Sequence, residues 1–239
     1  MPTIDVSRSA ERSGRVAGSV PWRGMESWLV SEPTVQRLDL DERSWVDVVR
    51  GLVPRGDEVH DDLLSSIAWQ QGQVFRYERW IDSPRQMAAY SPGMQPAIDE
   101  VDAWLRTRYK VRFTAPALAL YRNERDSVAF HRDRELGWLE DTVIAVLTFG
   151  ARRPWLLRPL TGRRDYVDDD MSDVLDFSPA SGDLLVMGGA TQQRWLHAVP
   201  KVHGRSRTRI SVQWRYTSRR GARDTNPSFY APRHFSKSR

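Results

Sequence analysis

Arg209-Ile210-Ser211-Val212-Gln213-Trp214-Arg215-Tyr216 alternates polar and apolar residues without a break. Successive side chains of an extended chain point to opposite faces. The run is therefore a β-strand with Ile210, Val212, Trp214 and Tyr216 on one face and Arg209, Ser211, Gln213 and Arg215 on the other. At a sheet edge those arginines would sit in solvent. Inside a barrel, Arg209 would need an anion, because a buried unpaired charge is very costly. Working back toward the N-terminus, seven more β-like runs appear: Ala117–Tyr121, Ser127–His131, Thr142–Phe149, Pro154–Leu160, Val174–Phe177, Asp183–Met187 and Trp195–Ala198. Short strands broken by Gly, Pro and Asp turns indicate an all-β barrel or a double-sheet jelly roll.

Before Pro116 the spacing turns helical. Asp41 is placed to cap a helix in which Trp45, Val48, Val49 and Leu52 share one face, ended by Gly51 and Pro54. A second helix is predicted from Pro96 to Tyr109, where Ile98, Val101, Leu105 and Tyr109 form one stripe. The stretch from Trp69 to Pro92 reads as irregular, and Thr161–Ser172, acidic and poor in apolar residues, as a surface loop. The expected class is α+β, a helical N-terminal layer on one β core. Residues 1–33 read as a loose arm, 34–217 as one domain and 218–239 as a basic tail.

The 239 residues suffice for a well-buried core, and 40% hydrophobic with 28% charged residues describes a soluble globular protein. No apolar run approaches the roughly 20 residues of a membrane span. Met1–Gly14 lacks the apolar segment of a secretory signal. The absence of cysteine excludes disulfides, thiolate metal sites and thiol nucleophiles, and fits a cytoplasmic location. The net charge of +5 is concentrated: residues 216–239 carry Arg219, Arg220, Arg223, Arg233, Lys237 and Arg239 against Asp224 alone, six minus one. Such a tail points to a polyanionic partner.

Among the 5 histidines, His131 stands two residues before Asp133 at the end of a strand-like run, and His197 lies on a later strand. Two imidazoles and one carboxylate on one face of a metal form the facial triad of non-haem Fe(II) oxygenases, with three coordination positions left open. The competing reading of an H-x-D pair is a surface turn. Arg209, a dozen residues beyond His197, adds a counter-charge for a bound acid. Metal and anchor together point to 2-oxoglutarate as cosubstrate, its keto-acid end filling two metal positions and leaving one for O2.

Several stretches in order resemble the AlkB-type Fe(II)/2-oxoglutarate dioxygenases, which oxidatively dealkylate nucleic acids. They are Pro84–Tyr90, Tyr121–Asp133 (YRNERDSVAFHRD), Gly182–Gly189 (GDLLVMGG), Trp195–Lys201 (WLHAVPK) and Arg209–Arg215 (RISVQWR). The resemblance covers about Trp69 to Arg215. It implies a double-stranded β-helix (jelly-roll) core over about 116–217 and a nucleotide-recognition lid over about 69–95. It also implies His131, Asp133 and His197 as iron ligands. Arg209 would hold the distal carboxylate of 2-oxoglutarate, Tyr121 would hydrogen-bond the cosubstrate, and Arg215 would lie near its keto-acid end. Ala119 and Ser211 stand where the family often has Asn, so Ser211 is carried over only as a pocket position. Toward the substrate, the resemblance puts Glu135 beside the damaged base and Tyr90 against its face, with Trp69, Tyr77 and Trp80 as rivals for stacking. Gln192, Gln193 and Arg194 are placed to touch phosphate.

The expected activity is oxidative dealkylation of N-alkylated bases in DNA or RNA, releasing formaldehyde, succinate and CO2. The expected protein is a monomer without membrane or protein partner. Three alternatives remain open at this level: a 2-oxoglutarate hydroxylase of a protein or small molecule, a non-catalytic nucleic-acid-binding jelly roll, and a zinc hydrolase. The last leaves the Arg209 alternation unexplained. Removal of Ser218–Arg239 is expected to leave fold, iron and 2-oxoglutarate handling intact while weakening nucleic-acid binding.

Overall fold

The computed structural model describes residues 26–76, 78–160 and 173–225. Its strands are β1 (Gln36–Asp41), β2 (Ser44–Val49), β3 (Gln70–Arg76), β4 (Arg79–Ala89), β5 (Ala117–Tyr121), β6 (Val128–His131), β7 (Thr142–Gly150), β8 (Leu156–Pro159), β9 (Leu175–Asp176), β10 (Leu184–Gly189), β11 (Trp195–Val199) and β12 (Arg209–Thr217). Helices α1 (Gly56–Ser66), α2 (Pro96–Tyr109) and the short α3 (Thr191–Arg194) complete it. The larger sheet runs β1-β2-β10-β7-β12-β5-β4-β3 and the smaller β6-β11-β8-β9. Every pairing is antiparallel. This is the jelly roll expected, and all eight predicted strand runs form.

Two cores explain the alternation. On β7, Val143, Ala145, Leu147 and Phe149 pack under α1 and α2 with Val59, Leu63, Ile98, Val101 and Leu105. Ile144 and Val146 face the other way, into the space between the sheets, with Trp155, Leu157, Leu185 and Met187. A strand covered on both faces shows an unbroken apolar run, as Val143–Leu147 does within β7. On β12, Ile210, Val212 and Trp214 join the helix-side core. Its polar face therefore looks between the sheets, and Arg209 is 0% exposed. β12 is paired on both sides, with β5 and β7, which removes the edge-strand reading.

The N-terminal part differs from expectation. No helix forms over 41–52; β1 and β2 make a hairpin there. Val46, Val48 and Val49 are β-branched and favour extended backbone. β2 is buried on both faces, so its apolar residues satisfy the helical and the strand period alike. Asp41 caps no helix; it accepts from the Arg43 amide in the hairpin turn. The first helix is instead α1, which the sequence reading leaves out because only Val59, Leu63 and Leu64 interrupt its polar run. The expected irregular stretch is the β3–β4 hairpin, its register shifted between Gln71 and Gln73. Of the arm, residues 26–33 are described, and Trp28, Leu29 and Val30 pack against the helix-side core. The loop 161–172 lies outside the described residues.

Candidate metal centre and cosubstrate pocket

β6 and β11 pair so that His131 stands opposite His197, ring centroids 4.2 Å apart. The chain then leaves β6 through a tight turn, Arg134–Leu136, which swings Asp133 back toward both rings. Its Oδ1 lies 3.5 Å from His131 Nε2 and 3.7 Å from His197 Nε2. One ligand atom from each of the three residues falls within 4.8 Å of the others. Asp133 is 2% exposed.

The surroundings fix these groups. The Nδ1 of His131 is 2.9 Å from the carbonyl of Ala129, so a proton held there leaves the Nε2 lone pair for a metal. Trp155 stacks on His197 at 5.6 Å. The Asp133 amide donates to Gln192 Oε1 (2.8 Å), and Arg215 Nε donates to Asp133 Oδ2 (2.6 Å). Burial alone would raise the Asp133 pKa; Arg215, the hydrogen bond with His131 and the histidine charges outweigh it and hold the carboxyl well below its ordinary range. Burial, helped by the charge of His131, pushes His197 down to about 3, which keeps its imidazole neutral and able to ligate.

Behind this triad the pocket is lined by Arg85, Tyr121, Ile144, Trp155, Ser211 and Gln213, among others. Arg209 lies opposite Tyr121 across β12 and β5. It donates to Ser211 Oγ (2.8 Å) and Thr148 Oγ1 (3.0 Å), while its Nε is buried with no partner. Burial lowers its pKa to about 10, still charged at neutral pH. A buried guanidinium with only hydroxyl acceptors and one orphan donor lacks an anion among the described residues. The two-imidazole, one-carboxylate donor set suits Fe(II), and the Arg209 end suits a carboxylate. The residues present fit both groups.

A family model, described as the 2OG-Fe(II) oxygenase superfamily, matches residues 7–223. The chain belongs to that superfamily. Among curated proteins, this oxygenase is 30% identical over 182 residues to the bovine alpha-ketoglutarate-dependent dioxygenase alkB homolog 3, covering 70% of this chain and 64% of that one. It is 28% identical to the human alkB homolog 3, covering 71% and 65%, and 29% identical to the DNA oxidative demethylase ALKBH2 of Arabidopsis thaliana, covering 53% and 45%. The matched part spans less than two thirds of these relatives' own length. These relatives support the AlkB-type resemblance carried by the motifs. A solved prolyl hydroxylase from Trichoplax adhaerens, in complex with a hypoxia inducible factor peptide, superposes with a TM-score of 0.51 at 13% identity, over 72% of this chain and 83% of that one. That match shows the shared fold.

On the substrate side the oxygenase departs from the sequence reading. Tyr90 is buried in the helix-side core, its hydroxyl donating to Asp99 Oδ1 (2.7 Å). Trp69 packs against the same core, so neither lines the pocket. Trp80 is 59% exposed on β4, and Tyr77 lies outside the described residues. Glu135 is exposed beside the triad, 3.9 Å from Arg215 Nε. Gln192 faces inward to Asp133 rather than toward phosphate. Sequence reasoning misses Arg85, which donates to the Tyr121 hydroxyl (3.1 Å), and Trp155. The one signal for either is the placement of Arg85 within Pro84–Tyr90.

The oxygenase's pH response follows from His197. The unfolded chain takes up a proton near pH 6.5, whereas the folded chain refuses it until about pH 3. Its contribution to stability is therefore complete above about pH 6.5 and declines as pH falls toward 3. Metal-free protein is expected to melt progressively lower from pH 7 to pH 4, with a shallower decline in His197→Gln. Parallel curves for the two proteins would remove His197 as the cause.

Proposed function

We propose that this oxygenase removes N-linked alkyl groups from bases of DNA or RNA. The observation that carries the proposal is the triad facing a pocket lined by Tyr121 and Ser211, with Ser211 hydrogen-bonded to a buried Arg209 that has no carboxylate partner among the described residues, in a chain whose relatives include alkB homologues and a protein named DNA oxidative demethylase. His131, Asp133 and His197 would hold Fe(II), with Arg215 and Gln192 fixing the carboxylate. Arg209, Ser211 and Tyr121 would receive the distal end of 2-oxoglutarate. When bound, iron and 2-oxoglutarate supply the activation of O2. That chemistry would place one oxygen atom in succinate as CO2 departs and the other on the N-methyl group, which would then leave as formaldehyde and restore the N–H. The chain contributes position and a water-poor, polar pocket. Glu135 is proposed to reach the base from the rim. No helix among the described residues is long and apolar enough to cross a membrane; a cytoplasmic, monomeric enzyme is proposed.

A panel of singly alkylated oligonucleotides, single- and double-stranded, tests this by product mass and formaldehyde release. Loss of one methyl group from a base is the expected result. Consumption of 2-oxoglutarate with every oligonucleotide unchanged, alongside hydroxylation of a peptide or metabolite, would overturn it. Arg209→Ala is expected to raise the 2-oxoglutarate requirement by about two orders of magnitude, since a charge-assisted pair is lost and its hydroxyl partners are stranded. Metal binding should be retained. An unchanged 2-oxoglutarate KM would remove Arg209 as the anchor.

A further inference from the structure

Arg153 is a buried cation for which neither the metal centre nor the Arg209 anchor accounts. It sits between β7 and β8, 1% exposed. Its Nη1 donates to the carbonyl of Asn123 (2.9 Å), and its Nη2 to those of Asp126 and Pro200 (both 2.8 Å). These carbonyls belong to the segments leaving β5 just past Tyr121 and leaving β11 just past His197. Its Nε is buried with no partner among the described residues. The Arg153 guanidinium carbon lies 5.5 Å from the centroid of the Tyr121 ring, and that of Arg209 lies 5.3 Å from the same centroid.

Neither guanidinium forms an ion pair with a carboxylate among the described residues. The carboxylates next to Arg153 are engaged elsewhere. Asp126 is held by Arg122 at 2.8 Å; Glu124 lies 4.0 Å from Arg125 and accepts from the Ser206 amide. Two buried positive charges thus flank one phenol ring, with a third, Arg85, on its hydroxyl. The charge of Arg153 adds to the repulsion on Arg209, which an anion between them would relieve. The second carboxylate of a dicarboxylic acid would land there, whereas a monocarboxylic 2-oxo acid keeps only its metal-binding end.

We propose that Arg153 is a positioning residue for the cosubstrate, acting through Tyr121 and through its charge, and that it sets the preference for dicarboxylate over monocarboxylate 2-oxo acids. The proposal rests on the assignment of Arg209 as the cosubstrate anchor. The rival is a purely structural staple between the three segments.

Equilibrium titration of the Mn(II)-loaded full chain with 2-oxoglutarate and with 2-oxopentanoate separates them. In Arg153→Gln, the Kd of 2-oxoglutarate is expected to rise on the order of tenfold while that of 2-oxopentanoate stays within about twofold. Arg153→Lys keeps the charge without the fork and should retain most of the discrimination. Equal weakening of both acids, or lysine no better than glutamine, overturns the proposal in favour of the staple. Should glutamine prevent folding, the lysine variant decides: retained discrimination supports the proposal, and equal weakening overturns it. Failure of the unmodified chain to prefer 2-oxoglutarate would instead strike the Arg209 assignment.

Discussion

Asp133→Ala is expected to abolish turnover and metal binding together. The carboxylate is both the bridge between the two imidazoles and the anion that Arg215 holds at 2.6 Å. Its loss removes one of three ligands and leaves Arg215 with Glu135 at 3.9 Å and Gln213 as neighbours. His131→Ala and His197→Ala should be equally inactive. Gln192→Leu makes the useful contrast, because it removes the acceptor of the Asp133 amide and a 3.9 Å contact to Met187 Sδ but no metal ligand. A supporting partner of a metal ligand costs roughly 10–100-fold in affinity or activity, so this variant should retain measurable turnover. Metal titration followed by 2-oxoglutarate consumption reads both effects. Near-normal activity in any of the three alanine variants would strike that residue from the ligand set, and a dead Gln192→Leu that still binds metal would give Gln192 a larger part than support.

The residues that are legible in the sequence share one property: their signal is local. The H-x-D spacing of His131 and Asp133 is two residues long, and the alternation around Arg209 needs only one strand. The structure adds a detail that spacing does not give. Asp133 reaches the metal position from a turn, not from the strand that carries His131. The β2 strand, within the predicted helix over 41–52, reads as helical in sequence because burial on both faces erases the period that distinguishes strand from helix. Asp47, the residue that breaks its apolar run, is fully buried and tolerated only because Arg37 grips it through two bonds and the Tyr109 hydroxyl donates to it. Those partners lie 10 and 62 residues away.

The same distance hides the rest of the pocket. Arg85 meets Tyr121 across 36 residues, and Gln192 meets Asp133 across 59. Each is unremarkable polar sequence until β4 is laid beside β5 and α3 beside the turn after β6. Tyr90 shows the converse. It ends the stretch that resembles the entry to the lid, yet β4 stops one residue earlier and the chain turns into α2. The ring is drawn under that helix by Gln95 and Asp99, on the far side of the larger sheet from the triad.

Ending the chain after Thr217 is expected to damage the metal centre, whereas ending it after Thr225 should spare it. The sequence reading puts the start of a dispensable tail at Ser218, but residues 218–224 brace the turn that carries Asp133. The Ser218 amide donates to the Asp141 carbonyl, and the Asp224 amide to that of Gly137. Asp224 takes both arms of the Arg134 fork at 2.8 and 2.9 Å, in a pair only 11% and 19% exposed. Arg223 and Arg219 lie 5.2 and 5.9 Å from the ring of Trp138. Removing one partner of a largely buried ion pair costs about 3 kcal/mol, enough to loosen this turn without unfolding a jelly roll. The 1–217 chain should therefore melt lower by roughly 10 °C and bind metal at least about tenfold more weakly. Asp224→Asn in the full chain should reproduce most of that effect. The 1–225 chain removes Arg233, Lys237 and Arg239 and no acid, a formal +3. Its metal and 2-oxoglutarate binding should match the full chain, while the salt dependence of oligonucleotide binding flattens by about 0.9 log unit for each phosphate that the tail no longer neutralises. Full metal affinity in the 1–217 chain would show that the brace does not position Asp133.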